Sequence, residues 1–117
     1  MDVLPATKIL ADPVAGPIYQ RLLTVLAELG PFGLEEKKTS IHVVRARAFL
    51  GVHPRKTALL VNIVTARSIA SDRAVRHDQV SANRVHNQVL LHAEADVDAE
   101  LVAWITQAYE LTEQSRG

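Results

Sequence analysis

Between residues 15 and 29 the apolar positions recur every 3.6 residues. Ala15, Ile18, Tyr19, Leu22, Val25, Leu26 and Leu29 share one helical face, and Gln20, Thr24 and Glu28 share the other. Pro17 suits a first turn, where an amide N–H has no intrahelical partner to lose, and Gly30-Pro31 ends the run. The pattern predicts a helix over 16–29. A second stripe, Val97, Leu101, Trp104, Ile105, Ala108 and Leu111, predicts a closing helix over 97–114. Asp96 is the expected N-cap, and Asp98 and Glu100 suit the positive end of the helix dipole.

The period shortens to two in the middle of the chain. Ile41 and Val43 alternate with Ser40 and His42, which predicts a strand over 39–44. Arg45-Ala46-Arg47 connects it to a second strand over 48–53, closed by Pro54. Residues 57–65 are apolar on both faces, as expected of a central strand covered on both sides. A further strand over 84–92 sets Val85, Val89 and Leu91 against His86, Gln88 and His92. Residues 66–82 show no clean period and read as a long basic loop, in which Ser71-Asp72 is placed to cap a short helix. Residues 1–15, with Pro5 and Pro13, read as an extended lead-in to a single domain over 16–117. The expected architecture is α+β: a four-stranded antiparallel sheet, made of a three-strand meander and a fourth strand after the basic loop, with an N-terminal and a C-terminal helix packed on it.

A chain of 117 residues fits one domain, and the absence of cysteine excludes thiolate chemistry and cysteine-held metal. No apolar run approaches the about 20 residues that span a bilayer, and no leader pattern opens the chain. The expectation is a soluble, cytoplasmic protein with no membrane partner. The formal net charge is zero, but it is segregated. Residues 1–36 carry two cations against five carboxylates, a net −3. Residues 37–84 carry ten against two, a net +8, and residues 85–117 one against six, a net −5. Such asymmetry points to an anionic partner.

Several strings occur in order: Lys37-Lys38-Thr39-Ser40-Ile41-His42, Ala48-Phe49-Leu50-Gly51-Val52-His53-Pro54-Arg55-Lys56, Asn83-Arg84-Val85-His86-Asn87, and Asp96-Val97-Asp98-Ala99-Glu100-Leu101 before Trp104 and Ala108-Tyr109. From about residue 16 to 111 this resembles a bacterial domain-of-unknown-function family of small α+β proteins. Some of its members are labelled "predicted transport protein", and some are appended to nuclease-like proteins. The resemblance implies a nucleic-acid context and carries over no catalytic residue.

Three functional readings follow. The first is a non-enzymatic module binding an anionic partner, plausibly nucleic acid, through Lys37, Lys38, Arg55, Lys56, Arg67, Arg73, Arg76 and Arg84. The meander puts Arg45 and Arg47 at one end of the sheet and Lys37, Lys38, Arg55 and Lys56 at the other. With five aromatic residues, of which Tyr19 and Trp104 lie on buried helix stripes, the chain offers few stacking platforms for bases. The second reading is a pocket or enzyme for a small phosphate or carboxylate, built from His42, His53, Arg55 and His86, which predicts that these side chains converge. The third is a protein-interaction or homo-oligomerisation module in which the acidic last helix meets the basic middle. No spacing of metal ligands, nucleotide-binding glycines or nucleophile motif is present, so no metal, cofactor or catalytic residue is expected.

Overall fold

The computed structural model describes residues 5–114. Six strands form one sheet: β1 (Gly33–Glu36), β2 (Ile41–Val44), β3 (Ala48–Arg55), β4 (Ala58–Thr65), β5 (Ala74–Ser81) and β6 (Arg84–Leu91). Their order is β1-β2-β3-β4-β6-β5, and every neighbouring pair is antiparallel. Three helices accompany them: α1 (Pro5–Ala11), α2 (Ala15–Leu29) and α3 (Ala99–Gln114). The α+β class is as expected, and β2, β3 and β4 form the expected meander. The four-stranded count is wrong, because two edge strands escape the sequence pattern. Both β1 and most of β5 are exposed, so neither shows alternating burial. Residues 66–82 are therefore not one long loop: the connection is 66–73, and no helix begins at Ser71-Asp72. The lead-in is helical over Pro5–Ala11 rather than extended, and α1 packs on α2. The first four residues of that lead-in, and residues 115–117 of the expected domain, lie outside the described residues.

Alternation along the strands decides what each face does. The row Ile41, Val52, Val61 and Val89 crosses the sheet in register and is buried with Ile18, Leu22, Leu26, Leu101 and Ile105 of the helices. Hence α2 and α3 cover this face. A bulge between Val43 and Val44 admits an extra residue in β3, and both Phe49 and Leu50 are buried. Phe49 meets Tyr109 edge to face at 5.5 Å. Tyr109 donates from its hydroxyl to Pro31 O at 2.9 Å, and Gly30 leaves room for that contact with φ 139°. A Cβ at Gly30 would fall 2.5 Å from the Tyr109 hydroxyl, so a side chain there is excluded twice over. At the start of α3, Asp98 rather than Asp96 acts as the cap, accepting from the Leu101 N–H at 3.0 Å. Asp96 instead accepts from the His92 and Ala93 N–H groups.

On the opposite face no helix among the described residues is packed. The β4 strand is central, as its sequence predicts, but a helix covers only one of its faces. Leu60 and Val64 point to the other face and stay buried among the side chains of neighbouring strands. No helix among the described residues is long and apolar enough to cross a membrane.

Candidate functional site

The helix-free face carries most of the polar residues of the alternating strands, with Asn87 on the buried face as an exception. His42, Gly51, Asn62, Gln88 and Arg76 lie opposite one another along a single row across five strands. His53 stands two residues beyond Gly51 on the same face, and His86 pairs in register with Val64, next to that row. Gly51 forms the floor between them: a Cβ there would come 3.0 Å from His53 Nε2 and 3.4 Å from Asn62 Cβ. The result is a cavity of about 200 Å³ lined by His42, Gly51, His53, Asn62, Arg84 and His86, with Ala48, Leu50 and Val64 as its apolar wall.

Hydrogen bonding orients this cavity. The Asn62 amide Nδ2 lies 3.0 Å from His86 Nδ1, to which it donates, so the imidazole proton is on Nε2. Asn62 Oδ1 and Arg84 Nε are both buried without a hydrogen-bond partner, and both residues line the cavity. Buried polar atoms are nearly always paired, so two orphans at one cavity mark it as unusual. Burial lowers the His53 pKa, and the charge of Arg55 and His42 lowers it further. His86 is lowered by burial and by Arg84, against a smaller opposing effect of Asp78. Both imidazoles are therefore shifted toward the neutral form.

Arg84 also borders a second hollow of about 580 Å³, at the end of the sheet where the β2–β3 and β5–β6 turns meet. Arg47, Arg67, Ser81 and Asn83 line it. Burial lowers the pKa of Arg84, and Arg47 lowers it further. No carboxylate among the described residues forms an ion pair with Arg47, Arg67 or Arg84. Glu110 of α3 borders an adjoining depression with Ala66 and Leu111 without pairing with any of the three.

The basic residues expected to act together are dispersed. Lys37 and Lys38 stand at the β1–β2 turn, and Arg55 and Lys56 at the β3–β4 turn, on the far end of the sheet from Arg67 and Arg84. Lys37 pairs with Glu35 at 3.3 Å. Arg76 pairs with Asp78 at 3.0 Å. Arg73 is engaged throughout: it donates to Asp98 at 2.9 Å, to Glu100 at 3.0 Å and to Asp96 O at 2.7 Å, and it lies over the Trp104 ring. The histidine constellation converges for His42, His53 and His86. Arg55 does not line the cavity; its Nη1 donates to Pro54 O at 3.0 Å. Arg84 is the cation that does, and Asn62, Gly51 and Arg47 complete the two hollows. Among the described residues no group of three His, Asp or Glu is placed to hold a metal ion.

No curated protein and no solved structure matches the chain. A family model described as "Domain of unknown function (DUF5655)" matches residues 6–112, and the chain belongs to that family.

Proposed function

We propose that this domain is a binding module for an anionic ligand, a phosphate or carboxylate, seated at Arg84 where the two hollows meet. The observation that carries the reading is the Arg84 guanidinium, whose Nε is buried without a partner beside Arg47 and Arg67. Three like charges near one another raise the energy of the site, and an anion offsets that while supplying the acceptor Nε lacks. Guanidinium groups grip phosphate and carboxylate through paired N–H donors, which suits this set better than lysines would. A polyanion laid along the basic segment has less support. Its cations stand at both ends of the sheet, and recruiting Arg73 or Arg76 means breaking existing ion pairs.

The test is calorimetric titration with inorganic phosphate in dilute chloride buffer. Saturable binding is expected, weakened at least about tenfold by Arg84→Gln and reduced by added salt. Absence of saturable binding, or equal binding by the variant, overturns the reading.

A further inference from the structure

We infer that the ligand carries a flat uncharged ring beside its anionic group, and that it is a phosphorylated heteroaromatic of nucleotide size spanning both hollows. The inference rests on the reading above, that Arg47, Arg67 and Arg84 take the anion. Sites for organic ligands commonly enclose about 300–1,000 Å³. The histidine hollow holds about 200 Å³ and falls short alone. The arginine hollow holds about 580 Å³, and Arg84 is a wall of both. A bare phosphate leaves the histidine hollow without a purpose, whereas a ring attached to that phosphate reaches into it.

Apart from Arg84, the histidine hollow offers imidazoles, an amide and aliphatic wall, so it suits an uncharged group. Imidazole faces stack on heteroaromatic rings, as aromatic side chains do on bases. Gly51 keeps the floor open at the centre of the row, where any side chain would press on His53. Asn62 is held by His86 through Nδ2, which leaves Oδ1 buried and free to accept from a ring N–H or exocyclic amine. Asparagine commonly reads base edges through such contacts.

The experiment compares five probes at one ionic strength: inorganic phosphate, ribose 5-phosphate, the adenosine and uridine 5′-monophosphates, and a 5′-phosphorylated dinucleotide. At least one nucleotide is expected to bind about tenfold tighter than ribose 5-phosphate, the scale of one base stacked on a side chain. Gly51→Ala is expected to abolish that advantage while inorganic phosphate still binds saturably. His42→Ala, which adds no bulk, is expected to cut it at least threefold, and matching melting temperatures would show that both variants fold. A 5′-phosphorylated dinucleotide that binds tighter than either monophosphate supports the same ring recognition, with a strand end as the source. If ribose 5-phosphate binds as tightly as both nucleotides, the ring inference is overturned while the anion site stands. If the nucleotide advantage persists undiminished in both variants, the histidine hollow is not where the ring sits, and the inference is again overturned. If inorganic phosphate does not bind, the anion site itself fails.

Discussion

At the scale of single residues, Asn87 does the most to hold the sheet to its surroundings. It is fully buried. Its Nδ2 donates toward Ile63 O, Thr65 Oγ1 and Val85 O at 2.8–3.2 Å. Its Oδ1 accepts from the Ile69 N–H at 3.0 Å and from His77 Nδ1 at 2.9 Å. One amide thus joins β4, β5, β6 and the segment that crosses from β4 to β5. Asn87→Leu strands several buried groups at once, and it is expected to cost about 2–4 kcal/mol in urea unfolding. A loss under about 1 kcal/mol would show that the network is dispensable. The sequence carries a signal for this residue, because Asn87 interrupts the apolar run Val85, Val89, Leu91 on the buried face. The same period of two puts Arg84 with His86, and so makes the cavity's arginine legible. What it does not reveal is the depth of Arg84, which depends on the distant β2–β3 turn and on Arg47.

At the scale of elements, legibility follows burial. Strands with one face on the core (β2, β3, β6) and the doubly apolar β4 are readable because packing dictates their side chains. The edges β1 and β5 have little packing to answer to, and even their apolar residues Leu34, Val75 and Val80 are exposed. In β5 two register shifts further erase the alternation. Backbone pairing with β6 holds the strand, and Arg73, which precedes it, fastens its start to the entry of α3 through Asp98, Glu100 and Asp96 O. Read from sequence, Arg73 looks like a phosphate ligand; in the fold it is a clasp. Arg73→Met keeps an unbranched apolar side chain and removes the guanidinium with its ion pairs and its contact to the Trp104 ring. The expected outcome is a loss of about 1–2 kcal/mol in denaturant unfolding, with phosphate affinity unchanged. Weakened phosphate binding with unchanged stability would reverse that assignment.

For the whole molecule, the net charge of zero hides a polarity that pH can expose. His53 and His86 have folded pKa values below the ordinary imidazole value of about 6.5, chiefly because both are partly buried. Below about pH 6.5 the unfolded chain takes up protons that the folded chain resists, so stability must fall as pH drops. That loss levels off once pH passes below the two folded values. Asp98 gives a second, lower stage. The Leu101 N–H and Arg73 hold its pKa below the ordinary carboxylate value, so its contribution is present above about pH 4 and disappears beneath it. Thermal melts between pH 8 and 3 should show both stages. A His53→Gln, His86→Gln double variant should flatten the upper stage and leave the lower one. Phosphate sharpens the test. An anion at Arg84 offsets the charge that disfavours protonated His86, raises that pKa, and so shrinks the upper stage when phosphate is saturating. An upper stage of equal size with and without phosphate would place the anion away from His86, and would separate the arginine hollow from the histidine one.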